Sequence, residues 1–289
     1  MARALRPDSA FLRRLAYAGA RFGPRFVIEH SPKFFGTAFA LALPATRQRV
    51  LRNLRRIKGQ RSFLSEQRDV LQTFTSYASC LAESLGIDRT DGQNTDLSLR
   101  GGAHLRSALD VGRGVILVTA HIGPWDCAAR LLAKDFSADV VVVMLAEPDE
   151  AARKVHDAIR ERPGVRVMHV GDHPLDALPL LRHVRNGGIV AIQLDRAAPG
   201  GRALGVELFG TEESMPEGPF RLAALSGAPI VPIFAHRLGY YRYEFSIEAP
   251  IWVNRQATPR ELQAAAASAA QAMQSFISRH PTEWFHFAN

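Results

Sequence analysis

Residues 115–126 read Val-Ile-Leu-Val-Thr-Ala-His-Ile-Gly-Pro-Trp-Asp. The apolar run Val115–Val118 predicts a buried strand, and Pro124 suits the first turn of a helix. His121 therefore stands where a strand ends and a helix begins, the edge at which open α/β sheets meet their ligands. Asp126 follows five positions later. A carboxylate near a histidine can fix its tautomer and raise its basicity, but an acid in a first helical turn also favours the helix dipole by itself. Spacing alone leaves both readings open, a catalytic pair or a capping loop histidine.

Outward from this stretch, strand-like and helix-like segments alternate, which predicts an α/β fold: a mostly parallel mixed sheet flanked by helices. Core strands are expected at Val115–Thr119, Val140–Met144, Val165–Val170, Gly188–Leu194 and Ile230–Phe234, with a short one at Asp96–Arg100. Helical spacing covers 46–58 and 63–85, then segments near 124–134, 149–161, 174–186 and 217–226. Tyr240–Ile247 and the neighbourhood of Ile251 look like a hairpin pair, and the Ala-rich 258–279 closes the chain with a helix. No internal repeat or long Ser/Gly/Pro linker divides the chain, so residues 46–289 read as one domain behind an N-terminal amphipathic helical extension, 1–45.

Charge separates the same two parts. Residues 1–61 carry 14 Lys and Arg against Asp8 and Glu29, a net +12, while the remaining 228 residues are net −4. Between those charges stand Phe11, Leu12, Leu15, Tyr17, Phe22, Phe26 and Phe34-Phe35. Basic and aromatic residues interleaved in this way fit an amphipathic helix on an anionic membrane; a solvated basic face is the plainer alternative. Phe34–Leu43 is apolar but short, and Glu29, His30 and Lys33 precede it, so an interfacial or re-entrant helix is expected rather than a span. Nucleic acid is the rival partner, but zinc-finger, RRM-type and heptad-plus-basic patterns are absent. Cys80 and Cys127 make no CxxC pair, which fits a reducing compartment, and the amino end carries no secretory signal pattern.

At this point the chain resembles the lysophospholipid acyltransferase superfamily, specifically its lipid A late acyltransferase-like branch. The family's HX4D/E box is similar to His121–Asp126 after its apolar strand. A second block is similar to Ile189–Gln193 followed by Leu194-Asp195-Arg196, a third to Met215–Ala223 and a fourth to Gly227–Phe234; the ending His280-Pro-Thr-Glu-Trp-Phe-His-Phe287 resembles the tryptophan-bearing end of the lipid A branch. Pro216-Glu217-Gly218 imitates the Phe-Pro-Glu-Gly-Thr-Arg box of glycerol-phosphate acyltransferases, yet by order that box corresponds to Leu194-Asp195-Arg196. The missing Glu-Gly pair points away from a simple glycerol phosphate acceptor.

The resemblance implies a glycerolipid acyltransferase-like fold and transfer of a fatty acyl chain from acyl carrier protein or acyl-CoA, used as co-substrate, to a hydroxyl or amine of a lipid acceptor, whether lipid A precursor, lysophospholipid or glycolipid. It further implies a peripheral place on the cytoplasmic face of the inner membrane. In this reading His121 is the general base and Asp126 orients it. Arg196 is a candidate anion ligand or oxyanion stabiliser, with a salt bridge to Asp195 or another acid as the plainer reading; Asp195 reads first as structural, with substrate binding as its alternative. Trp125 lines the cleft or anchors a helix in the core. Glu217 and Gly218 shape the cleft or simply start a helix. A hydrolase using water in place of the acceptor, and an inactive carrier- or lipid-binding relative, remain as alternatives.

Other constellations are weaker. His169 and His173 have metal-like spacing without an evident third ligand, the paired glycines at 187–188 and 200–201 form neither a dinucleotide fingerprint nor a Walker loop, and no Gly-x-Ser-x-Gly elbow supplies a nucleophile. Metal and nucleotide cofactors are therefore not expected, and Cys127 reads as a small packing residue.

Overall fold

The computed structural model describes Gly19 and residues 22–86, 95–127, 138–145, 157, 164–171, 175–198 and 200–287. The expected turn at 91–94, most of the helix near 124–134 and nearly all of the helix near 149–161 lie outside these residues, as do Asp172 and His173.

Among the described residues, seven strands form one sheet in the order β1-β9-β8-β2-β5-β3-β4. They are β1 (Asp96–Arg100), β2 (Val115–Thr119), β3 (Val140–Leu145), β4 (Val165–Val170), β5 (Ile189–Gln193), β8 (Ile230–Gly239) and β9 (Arg242–Ile247). Neighbours are parallel from β8 to β4; β9 runs antiparallel to β8 and carries β1 parallel to itself. The mostly parallel mixed sheet expected from the alternating pattern is thus present, with β2 and β5 side by side near its middle.

Both faces are covered, so β2 and β5 have apolar side chains on each side instead of alternating with polar ones. Ile116, Val118, Val190, Ile230 and Phe234 meet α6 (Gly218–Ser226) and α7 (Pro259–Arg279) on one face. Val115, Leu117, Ile189 and Val231 meet α4 (Gly102–Asp110) on the other. Helix α7 begins with a capping box, Thr258 accepting from the Glu261 amide while Glu261 accepts from the Thr258 amide. Its small buried residues Ala265, Ala266, Ala269 and Ala270 let it lie close to the sheet. Helix α5 (Ala177–Arg185) precedes β5 as expected.

Two elements differ from the sequence reading. Residues 203–216 form a separate antiparallel hairpin, β6 (Ala203–Leu208) and β7 (Thr211–Pro216). Its two-residue turn, Phe209-Gly210, has positive φ at both positions, the geometry usually signalled by Asn-Gly. The second difference is the C-terminal hairpin: it is β8 paired with β9 around Tyr240-Tyr241, whereas Ile251 only bridges Ile230.

The N-terminal part contributes α1 (Arg25–Ala42), α2 (Pro44–Lys58) and α3 (Phe63–Gly86). Helix α1 buries Ile28, Pro32, Gly36 and Ala40 and sets them against α3 so closely that a Cβ at Gly36 would fall 2.7 Å from the Thr75 Cα. Its large side chains point outward: Phe26 is 71 % exposed, Phe34 73 % and Leu41 67 %. A helix adapted to water has the opposite arrangement. Several basic side chains of α2 are committed within the molecule, Arg55 to Glu66, Lys58 to Asp69 and Arg56 to Glu213, so only part of the basic excess is available to a partner. No helix of the described residues is long and apolar enough to cross a membrane.

A buried ionic cluster fixes α3 to the sheet. Glu83 accepts from Arg237 Nε at 2.9 Å and Nη2 at 2.6 Å, and from the Tyr243 hydroxyl at 2.8 Å. Burial pushes the Glu83 carboxyl above its usual range while Arg237 opposes the shift. Removing one partner leaves a guanidinium buried without its counter-charge. Glu83→Ala should therefore destabilise the fold by about 3–5 kcal/mol, to be measured by urea unfolding; a loss of under about 1 kcal/mol would show that α3 is held by its apolar contacts alone.

Candidate active site

Strand pairing creates the site. Every residue of β2 pairs in register with the residue 74 positions later in β5, from Val115↔Ile189 to Thr119↔Gln193. Two residues beyond the strands the same register sets His121 opposite Asp195, both past the carboxyl ends of adjacent parallel strands. The contact is direct. His121 Nδ1 lies 2.8 Å from Asp195 Oδ1, and the His121 backbone N–H donates to the same oxygen at 3.2 Å.

The C-terminal segment completes this pair. After the short 3-10 turn Pro281–Glu283, residues 284–287 run across the loop that follows β2. The Gly123 N–H donates to the Glu283 carbonyl at 2.9 Å, the Phe285 N–H donates to the His121 carbonyl at 2.7 Å, and Ile122 bridges Trp284. Trp284 also donates its indole N–H to Asp195 Oδ2 at 3.2 Å.

The Asp195 side chain is sealed from solvent, whereas the His121 side chain keeps 21 % of its exposure. Burial alone pushes the carboxyl pKa up; attraction and hydrogen bonding from His121, with the charge of Arg196, outweigh it and hold Asp195 at about 2. An ionised carboxylate only accepts hydrogen bonds. Nδ1 of His121 must then carry the proton, which leaves the Nε2 lone pair of a neutral ring able to take one up. The edge of that ring meets Trp125, with centroids 5.5 Å apart. Behind Asp195 lies a small recess, no larger than a single water molecule, lined by Val206, Leu208, Met215, Met273, Trp284 and His286 among others.

The sequence-derived candidates fare unequally. Asp195, read first as structural, is the carboxylate on His121 Nδ1. Asp126 lies in the helical turn Trp125–Cys127, and the carboxylate on His121 Nδ1 is that of Asp195. Arg196 donates from Nη2 to the Phe285 carbonyl at 2.9 Å, while its buried Nε has no hydrogen-bond partner among the described residues. Glu217 sits at the start of α6 with its carboxylate on Arg221, 2.8 Å away, and near Arg202 at 3.5 Å; Gly218 opens that helix. Cys127 is fully buried in the core. His169 pairs with Asp157 at 2.9 Å. Trp284 was given no role from the sequence. The available signal was an equal offset: Asp195 follows the end of its strand by the same two residues as His121.

With this geometry in place, comparison with known proteins decides the family: residues 3–289 match the model of the bacterial lipid A biosynthesis acyltransferases. The chain belongs to that family. It is similar to a phosphatidylinositol mannoside acyltransferase of Mycolicibacterium smegmatis, 32 % identical over 133 residues that cover 45 % of this chain and 42 % of that protein. A phosphatidylinositol mannoside acyltransferase of Mycobacterium tuberculosis is 26 % identical over 183 residues, covering 63 % of this chain and 55 % of the relative. The chain thus spans about half the length of these curated relatives or less. The crystal structure of a 1-acyl-sn-glycerophosphate acyltransferase from Thermotoga maritima overlays with a TM-score of 0.41 and 12 % identity, over 90 % of this chain and 99 % of that one.

Gly123 is where this family member's loop, sheet and tail meet. Its φ is 54°, and a Cβ there would lie 2.2 Å from the Ala235 carbonyl oxygen. Gly123→Ala must move backbone, not a flexible side chain, and with it the tail on Asp195. Acyl transfer, followed by mass spectrometry of lipid products, should fall at least about tenfold; wild-type turnover would show that the loop tolerates the shift.

Proposed function

We propose that the protein transfers a fatty acyl chain from an acyl thioester, on acyl carrier protein or coenzyme A, to a hydroxyl of a lipid acceptor. The observation that carries this reading is a partly exposed imidazole whose Nδ1 is held by a sealed, ionised carboxylate. Such a ring can act as a general base through its free nitrogen. The acceptor oxygen attacks the thioester carbonyl as His121 Nε2 takes its proton; the C–S bond then breaks and the departing thiolate receives that proton from the imidazolium. Asp195 stabilises the imidazolium between the two transfers. No covalent acyl-enzyme is needed, in keeping with Cys127 being buried.

The relatives' names favour a glycolipid with sugar or inositol hydroxyls as acceptor over a simple glycerol phosphate, and the Leu194-Asp195-Arg196 stretch, without the Glu-Gly pair, agrees. Arg196, whose buried Nε has no hydrogen-bond partner among the described residues, is the proposed donor to an anionic group of a substrate. Asp126 is assigned a lesser, local role. His121→Ala should lower single-turnover transfer by about 10²–10⁴-fold, and Asp195→Asn by more than Asp126→Asn, each in protein that remains folded by circular dichroism. If Asp126→Asn abolished transfer and Asp195→Asn did not, the assignment of the orienting carboxylate would be reversed.

Helix α1 is the proposed membrane contact, which would keep the enzyme peripheral on the leaflet that holds its acceptor. Its outward Phe26, Phe34, Phe35 and Leu41 make an apolar face that water disfavours. A short chain of contacts leads from it to the base: Gly36 against Phe74 of α3, Phe74 stacked on Phe287 at 5.5 Å, and Phe285 bonded to His121. The double substitution Phe34→Ser, Phe35→Ser should weaken sedimentation with anionic phospholipid vesicles by tenfold or more, since each buried Phe contributes about 1.5–3 kcal/mol. Unaltered binding would move the contact elsewhere.

A further inference from the structure

We propose that Trp284 is a positioning residue of the active site that holds both members of the base pair at once, its backbone beside His121 and its indole N–H on the carboxylate of Asp195. The inference rests on the general-base reading of His121 and adds to it a residue that otherwise passes for a core tryptophan.

The body of the side chain is ordinary. Trp284 is 4 % exposed, packs in the main apolar cluster and lies 6.1 Å, centroid to centroid, from the ring of Phe209 in the β6–β7 turn. Its polar edge is not. Buried indole N–H groups take whatever acceptor is near, and this one is directed at Oδ2 of the carboxylate that bonds His121 through Oδ1. Two hydrogen bonds from His121 act on one oxygen only, which leaves the carboxylate free to swing about its own bond. A donor on the second oxygen fixes its plane. With that donor removed, Oδ2 is a buried, charged acceptor without its partner, and rotation toward any other donor would draw Oδ1 away from Nδ1.

Trp284 can do this because its own backbone is held on the histidine side. It bridges Ile122, and the residues on either side of it bond to Gly123 and His121. Further along, Arg196 holds the Phe285 carbonyl, Asn53 the His286 carbonyl at 3.0 Å and Arg49 the Phe287 carbonyl at 3.0 Å. The tail is thus pinned from the sheet and from α2 together, and the indole is delivered to Asp195 from a fixed support.

The test separates the N–H from the bulk. Replacing Trp284 by benzothienylalanine, in which sulfur stands where the indole N–H was, keeps the shape and removes only the donor; Trp284→Phe is the simpler companion. Each is compared with Asp195→Asn and His121→Ala in the full-length protein, using acyl-CoA and a glycolipid acceptor and reading kcat, KM, unfolding midpoint and the ¹³C-carboxyl titration of Asp195. The expected result for the benzothienyl protein is a kcat lower by about tenfold or more, with KM and the unfolding midpoint close to wild type and the Asp195 titration displaced upward. Combined with Asp195→Asn the loss should not add, because both act on one carboxylate. Wild-type kcat and an unmoved Asp195 titration in the benzothienyl protein would overturn the proposal while leaving His121 as the base. Full activity in His121→Ala would instead remove the general-base reading, and the role of Trp284 with it.

Discussion

The molecule turns on one pairing register. Because β2 and β5 are parallel neighbours with no bulge between them, residues at equal distances beyond their ends face each other, and His121 meets Asp195. The pairing converts two loop positions far apart in sequence into a hydrogen-bonded couple, without help from any flexible segment. Its electrostatics follow from burial. A carboxylate sealed from water should resist ionisation; attraction and hydrogen bonding from His121, with the nearby charge of Arg196, reverse that, and the ionised form in turn fixes the proton on Nδ1 of the imidazole.

Much of the remaining structure can be understood as support for that couple. The apolar layers on both faces of the sheet hold β2 and β5 in register. The C-terminal segment closes over the loop after β2, and it is gripped by α2 and α3, so the N-terminal helices contribute to the site through the tail. Phe74 and Tyr77 of α3 pack against the rings of Phe285 and Phe287. The same helices bear the outward aromatic face of α1. The proposed contact with lipid and the proposed base therefore lie on one continuous piece of packing.

The fold was legible where apolar runs were long and uninterrupted. Val115–Val118 and Ile189–Ile192 read as strands buried on both faces, and α5, just ahead of the second, had clear spacing. The β6–β7 hairpin was not legible, because Phe209 occupies a positive-φ turn position normally taken by Asn or Gly. Half of the site was legible as well. His121 was evident from its place after a strand; its carboxylate is expected at Asp126, the nearest acid in sequence, and the register of two non-consecutive strands brings Asp195 to Nδ1. Neighbouring strands are a tertiary fact, and no local pattern around residue 121 encodes them. Trp284 was invisible for the same reason, since its function depends on where the tail returns.

The central claim, that an ionised Asp195 fixes the tautomer of His121 and leaves Nε2 free as a base, is tested most directly by ¹⁵N NMR of histidine-labelled protein at a pH where the ring is neutral. His121 is assigned by the signal lost in His121→Ala. The expected spectrum has a protonated Nδ1 and a bare Nε2, and Asp195→Asn abolishes that preference. A His121 ring protonated at Nε2, or one whose tautomer is indifferent to Asp195, would contradict it.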